Sequence, residues 1–313
     1  MWFKNLQLFQ FLEPFDLSAE ELAEQLRHQA FEPCRGIDAV SMGWVPPTGN
    51  EEAPLVHAAN GFMMLCLKVE EKIIPGTVVR QMVDEKVQEI EDKQGRKVRK
   101  KEKETLREDI YHNLITRAFT KSSLQYAYID PKEGWLILNV GSHSKAEEFT
   151  GFLRKTIGSL KIQLPEVQSV SLLLTDWLKT NTYPADYVIA DSCVIQDTKE
   201  AGTIRCAKQN LLSGDIQSLL DEGREVIQLA LSWTSQISFV IREDFSIKSL
   251  KFLEIVQDQA KDVYTETAEA KFDADFTIMT ETIRHLVKSL MSIFGKTGGK
   301  AEAKQHEAQE MAE

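Results

Sequence analysis

The 313-residue sequence contains little cysteine and no long apolar run. No stretch reaches the roughly 18 apolar residues that a membrane-spanning helix needs, so we expect no membrane span. The first residues, 1–5, lack the basic segment and apolar core of a secretory signal. The cysteines are widely separated and form no CxxC pair: Cys34, Cys66, Cys193 and Cys206. This pattern is typical of reduced thiols rather than of a zinc site or disulfide framework, and we expect a cytoplasmic protein.

Familiar signatures of catalysis are also missing. The histidines show no HxxxH, HxH or HExxH spacing, and no serine stands in a GxSxG turn. The triplet 295–297, Gly-Lys-Thr, resembles the end of a phosphate-binding loop. However, Leu290 occupies the position of the required first glycine, and the triplet follows a predicted helix instead of opening one. We therefore expect no catalytic residue and no cofactor.

One acidic pair leaves a metal site open. Asp273 and Asp275 are two residues apart and could together bind a divalent cation. Asp275 also directly precedes a predicted helix at 276–293, where an aspartate commonly caps the helix. Two carboxylates without further candidate ligands favour the cap, so we expect no metal. A metal-dependent nuclease that uses this pair remains the enzyme alternative.

Positive charge is scarce overall but locally concentrated. The net charge of −11 excludes a uniformly positive surface, although it does not exclude a basic patch that binds nucleic acid. The largest cluster spans 96–103, and two smaller groups lie near Phe119 and after a predicted strand at 203–207. The candidate DNA-binding residues are Lys97, Arg99, Lys100, Lys101, Arg117, Lys121, Arg205, Lys208 and Gln209. Such groups can hold the DNA backbone without reading bases, but a solvated helix face with internal ion pairs is the alternative.

Hydrophobic periodicity predicts an α+β fold with mixed or antiparallel sheets. Ser18, with Glu21 three residues later, predicts the start of a helix through a capping box. Ser144 is the predicted cap of a helix that runs to 157. Apolar residues at helical spacing over 77–118, interrupted by Gly95, predict a projecting helical hairpin. Strands are predicted at 62–69, 124–129, 135–140, 170–174, 187–195, 203–207, 226–231, 237–241 and 247–253.

The same patterns suggest four regions. An N-terminal α+β region comprises 1–75 and 119–165, and the hairpin is inserted at 76–118. A C-terminal α+β region spans 166–295. The Lys/Glu/Ala/Gln-rich tail at 296–313 is expected to be disordered.

Several stretches in order resemble the RdgC family and together cover the chain to about Gly295. In the first half they are WFKNL at 2–6, AFEPC at 30–34, MGWVPP at 42–47, ANG at 59–61, EEKIIP at 70–75, RAF at 117–119, and LRK at 153–155 with GSL at 158–160. In the second half they are IRCAKQNL at 204–211, LALSW at 229–233, LKF at 250–252 and FDADF at 272–276. No single motif is specific, but the ordered set is hard to obtain by chance.

This resemblance implies a non-enzymatic protomer of a ring-shaped homodimer that encloses duplex DNA, with single-stranded DNA as a possible ligand. It implies a nucleoid-associated protein that limits the access of RecA to DNA. Phe119 would lie at one dimer contact, and Lys208 and Gln209 would lie near the other, beside the DNA. An architectural protein that coats or bends DNA is the alternative within the binding class.

Overall fold

A computed structural model describes residues 2–198, 200–262 and 267–296. This described part contains eight helices and two sheets whose strands all pair antiparallel, so the predicted α+β class is confirmed. None of the described helices combines the length and apolar character that a membrane span requires. The predicted disordered tail lies outside the described residues from 297 onward.

The first sheet has seven strands and belongs to the first half of the chain. They are β1 (Gln7–Phe11), β2 (Val40–Val45), β3 (Val56–Ala59), β4 (Phe62–Ile73), β5 (Phe119–Asp130), β6 (Trp135–Leu138) and β7 (Ile162–Gln163). The strand order is β2-β4-β5-β6-β1-β7, and β3 pairs with β4. Because β4 is long, β2 and β3 occupy successive parts of its same edge.

Both faces of this sheet are covered. Helices α1 (Ala19–Arg27) and α4 (His143–Ile157) pack on one face, against alternate β4 residues such as Met63 and Leu65. Phe62 and Met64 point to the other face and join a second core cluster. Successive side chains of a strand point to opposite faces, so burial on both faces accounts for the unbroken apolar run at the start of β4.

The second sheet and the remaining helices come from the second half of the chain. Its strands are β8 (Tyr187–Gln196), β9 (Thr203–Ala207), β10 (Glu225–Trp233), β11 (Ile237–Arg242) and β12 (Ile247–Phe252), in the order β12-β11-β10-β8-β9. The helices are α5 (Val170–Thr180), α6 (Gly214–Asp221), α7 (Glu254–Asp262) and α8 (Ala268–Phe294). Strand β9 therefore forms an edge of this sheet.

The predicted hairpin is confirmed as α2 (Gly76–Gln94) and α3 (Lys100–Ile115). Gly95 ends α2 with φ +63°, a left-handed conformation that glycine adopts without steric cost. Only Val79, Val83 and Ile115 are buried in these two helices. The helices pack mainly against each other, so the hairpin extends from the body with wide exposed faces.

Helix α8 connects the two halves. Its buried side chains belong to one cluster that also contains Phe62 and Tyr128 of the first sheet and Leu229 of the second. On the second-sheet side, the Tyr187 hydroxyl bonds Ser289 Oγ at 2.9 Å. The division into regions 1–75 plus 119–165, 76–118 and 166–295 stays a prediction, since this continuous core spans both sheets.

A buried ion pair attaches α8 to the first sheet. Arg284 is 9% exposed, and its Nε and Nη2 donate to the two carboxylate oxygens of Asp130 at 2.7 and 2.8 Å. Asp130, at the end of β5, is only 2% exposed. Glu281 accepts from Arg284 Nη1 at 3.0 Å, and the guanidinium lies 4.0 Å from the centre of the Phe62 ring. The hydrogen bonds to Asp130 raise the pKa of Arg284, so the guanidinium stays charged.

Two predictions of secondary structure near residue 170 and residue 275 are wrong. The predicted strand at 170–174 lies in α5, because Val170, Leu174 and Leu178 repeat at helical spacing along its buried side. The predicted N-cap role of Asp275 fails because α8 starts earlier, at Ala268. Thr267 is the actual cap, and its hydroxyl accepts from Ala270 N at 3.1 Å.

The two other predicted caps have different outcomes. Ser18 and Glu21 form the reciprocal capping box that the sequence predicts, with bonds of 3.2 and 2.9 Å. Ser144, however, lies inside α4, and the cap is Ser142, whose hydroxyl accepts from Lys145 N. Ser142 has the extended backbone conformation that an N-cap residue requires.

Replacing Arg284 with methionine should lower the free energy of unfolding by about 3–5 kcal/mol, because Asp130 would remain buried as an unpaired charge. Urea unfolding followed by circular dichroism measures this loss. Lys288→Met is the matched control on the same helix, since its ion pair with Glu133 is partly exposed to solvent and is worth below about 1 kcal/mol. Equal losses in the two variants would contradict the special role of the buried pair.

Candidate nucleic-acid interface

Phe119 lies at an exposed end of the first sheet. It begins β5 directly opposite Ile73, the last residue of β4, and its side chain is 87% exposed. Ile73 is 48% exposed. The outer half of β5 is exposed and its inner half is buried, so the β4–β5 ribbon extends beyond the covered part of the sheet. An aromatic side chain in this position is available to a partner surface.

Two candidate cations flank Phe119. Arg117 follows the end of α3, and Lys121 lies opposite Glu71 in the β4–β5 ribbon. Both are exposed. They neighbour the hairpin along the chain, because α3 ends at Ile115 and β5 starts at Phe119.

The cluster at 96–103 divides into paired and unpaired cations. Arg96 donates two hydrogen bonds to Glu102, at 2.8 and 2.9 Å, and Lys103 bonds Asp84 at 2.7 Å. Bonding to Arg96 lowers the pKa of the Glu102 carboxyl. The remaining cations are exposed and form no ion pair within the described residues: Lys97, Arg99, Lys100 and Lys101. Internal ion pairs therefore account for part of the cluster, as the alternative interpretation predicts, and DNA binding by the remaining cations stays a prediction.

The third candidate group lies on the edge strand of the second sheet. Arg205 is exposed on β9, opposite Val194 of β8. Lys208 follows the strand with φ +55°, a left-handed backbone conformation. The backbone N–H of Gln209 donates to Asp191 O at 3.2 Å, which holds this turn against β8. The side chains of Lys208 and Gln209 are exposed.

The candidate residues thus occupy three separate elements: the α2–α3 hairpin, the exposed β4–β5 end and the β9 edge. Two exposed arginines of the hairpin were not among the candidate DNA-binding residues predicted from the sequence. Arg80 on α2 and Arg107 on α3 line the same groove between the helices as Lys100. The only sequence signal for this grouping is the spacing of Lys100, Lys103 and Arg107, which places them on one face of α3.

The acidic pair of the nuclease alternative lies within α8. Asp273 Oδ1 is 2.9 Å from His57 Nε2 of β3. The His57 ring also makes an edge contact with Phe272, at 4.8 Å between ring centroids. Burial lowers the pKa of His57, while the charge of Asp273 acts in the opposite direction. Within the described residues, no group of three or more histidine, cysteine, aspartate or glutamate side chains could hold a metal ion.

Comparison with known proteins gives a match over nearly the whole chain. A family model described as "Putative exonuclease, RdgC" matches residues 1–297. The chain belongs to the RdgC family. This confirms the resemblance that its motifs indicated.

Curated relatives agree with this family membership. A protein of Aeromonas hydrophila is 39% identical over 297 residues, which cover 94% of this chain and 98% of the relative. A protein of Tolumonas auensis is 40% identical over 304 residues, covering 96% of this chain and all of the relative. One of Psychromonas ingrahamii is 38% identical, with 94% and 98% covered. Each is named "Recombination-associated protein RdgC".

Proposed function

We propose that this RdgC family member is a non-enzymatic DNA-binding protein that acts in recombination by enclosing duplex DNA as a ring-shaped homodimer. The observation that carries the proposal is a set of exposed cations on projecting or edge elements of an otherwise acidic chain, which form no ion pair within the described residues. Relatives named as recombination-associated supply the context. A ring on the nucleoid DNA would obstruct the assembly of RecA on that DNA and so restrain recombination.

Phosphate binding explains the residue types in this surface. Lysine and arginine that contact phosphates release condensed counterions, and this term does not depend on base sequence. In the proposed surface Lys97, Arg99, Lys100, Lys101, Arg117, Lys121, Arg205 and Lys208 supply positive charge, and Gln209 supplies an amide donor. The acidic remainder of the chain, with a net charge of −11, would restrict DNA to this surface.

Closure into a ring requires two different two-fold contacts for each protomer. Phe119 is a suitable anchor for one contact because a large exposed aromatic ring can be buried in a partner. The β9 edge, with Lys208 and Gln209 at its end, is suitable for the other because an edge strand has unpaired backbone groups on one side. Both contacts would bring cations close to the enclosed DNA.

Phe119→Ala should weaken one contact between protomers by about 2 kcal/mol or more, as expected for an aromatic anchor. The melting temperature should change little, because the Phe119 side chain is 87% exposed in the protomer. Sedimentation velocity over a concentration series measures the association. A closed dimer that persists unchanged at every concentration would remove Phe119 from this role, and a large loss of melting temperature would assign the ring to the core.

The architectural alternative, coating or bending of DNA, shares salt-sensitive binding but not topological retention. Dimers loaded on nicked circular plasmid should therefore be locked with cysteines introduced beside the two contacts, by Thr120→Cys and Ala207→Cys. After formation of the covalent dimer is verified, the complex is washed with high salt, which restores counterions to the phosphates. Retention on the circle with release after linearisation is expected. Equal release from circular and linear DNA would favour coating.

The nuclease alternative has one specific observation in its favour, which is the word exonuclease in the description of the family. Against it, no group of three or more candidate metal ligands exists in the described residues, and Asp273 Oδ1 lies 2.9 Å from His57 Nε2. Incubation of linear and circular DNA with the purified protein and Mg²⁺ or Mn²⁺ should leave both substrates intact. Degradation that disappears in Asp273→Asn/Asp275→Asn would overturn the non-enzymatic part of the proposal.

A further inference from the structure

An open groove of about 420 Å³ lies between the two helices of the hairpin. Its lining residues are Gly76, Arg80, Val83 and Asp84 from α2, and Lys100, Lys103, Glu104 and Arg107 from α3. Val83 is buried at its base, whereas Arg80, Lys100 and Arg107 are exposed. The groove therefore combines an apolar base with a charged rim.

Helical spacing explains why these residues share the groove. Lys100, Lys103 and Arg107 are three and four residues apart, so they lie on one face of α3. Arg80 and Asp84 are four residues apart and lie on one face of α2. Because the helices pack against each other, these two faces meet along the groove.

The groove retains unpaired positive charge. Asp84 accepts from Lys103 at 2.7 Å, so that pair is internally neutral. Arg80, Lys100 and Arg107 form no ion pair in the described part of the chain, and Glu104 is the only other acidic residue in the lining. Three cations and one anion share this space, and a bound anion would relieve the repulsion among the cations.

Two other cations of the same hairpin share one carboxylate. Lys86 and Lys93 both bond Glu89, at 2.7 and 2.5 Å. These two bonds lower the pKa of the Glu89 carboxyl to about 2. Both lysines of α2 are therefore held in ion pairs, whereas Arg80, Lys100 and Arg107 in the groove form none within the described residues.

We infer that the groove between α2 and α3 binds the phosphate backbone of DNA through Arg80, Lys100 and Arg107. The guanidinium groups of Arg80 and Arg107 present planar donors that match phosphate oxygens, and Lys100 adds a point charge. The groove offers cations rather than an ordered set of base-reading groups, so it suits a backbone of any sequence. This inference rests on the proposed DNA-binding function and assigns part of it to residues outside the run at 96–103.

The test compares two double variants of the full chain, each with two fewer positive charges. Arg80→Gln/Arg107→Gln removes the groove arginines, and Lys86→Gln/Lys93→Gln is the matched control on the outer surface. Fluorescence anisotropy with a random duplex measures the affinity over a salt series. Loss of two phosphate contacts should reduce the magnitude of the slope of log affinity against log salt by about 1.8, since each contact contributes about 0.9. The control should keep the wild-type slope, and both variants should keep the wild-type circular dichroism and melting curve.

Each other outcome has a distinct meaning. Wild-type slopes in both variants, or equal reductions in both, would overturn the groove assignment while leaving the proposed function in place. A wild-type protein that binds no duplex would defeat the proposed function itself. Loss of binding to phosphatidylserine vesicles in the groove variant, with unchanged DNA affinity, would overturn the assignment in favour of an anionic membrane surface. If the groove variant unfolds, Arg80→Lys/Arg107→Lys should recover the fold and the wild-type salt slope, and a reduced slope in this folded variant would overturn the assignment.

Discussion

The ion pair between Arg284 and Asp130 is the interaction on which the arrangement of the two halves depends. It places a charged group of α8 on a buried carboxylate at the end of β5. Such a pair contributes little net stability compared with apolar packing, but it is costly to break because one charge would remain unpaired. We infer that the pair restricts α8 to one register against the first sheet.

That register has consequences on both sides of α8. The helix supplies apolar residues to a core that includes both sheets, so the second sheet is positioned relative to the first through the same element. The N-terminal segment adds a direct link, since Leu6 and Ile247 exchange two backbone hydrogen bonds. Geometry established in the core thus determines where the β9 edge and the exposed end of β5 lie.

The charge distribution follows from this division between core and projecting elements. The hairpin and the β4–β5 end contribute little to the core, and they can therefore carry cations without a desolvation cost. Internal ion pairs neutralise part of this charge, as Glu89 and Glu102 show. The cations that form no ion pair within the described residues are available to an external polyanion, and the proposed function depends on them.

Local patterns predicted a large part of the fold. The Ser18–Glu21 capping box, the hairpin and strand β9 depend on contacts between residues close in the chain, and each is found where the sequence predicts it. The apolar run at 170–174 was ambiguous, because a short buried run fits a strand or a helix equally well. Of the candidate site, the sequence also identified Phe119 and the run at 96–103 as features of interest.

The sequence by itself therefore determined the α+β class, most element positions and the family. Only the tertiary structure decided which charges pair. Arg284 and Asp130 are 154 residues apart, and no local pattern links them. Arg80 and Arg107 share a groove only because α2 and α3 fold back on each other. Likewise, Lys103 is neutralised by Asp84 across the hairpin, while Lys101, two residues earlier, forms no ion pair in the described chain. Ion pairing depends on distances of a few ångströms between distant segments, and periodicity in the sequence carries no information about those distances.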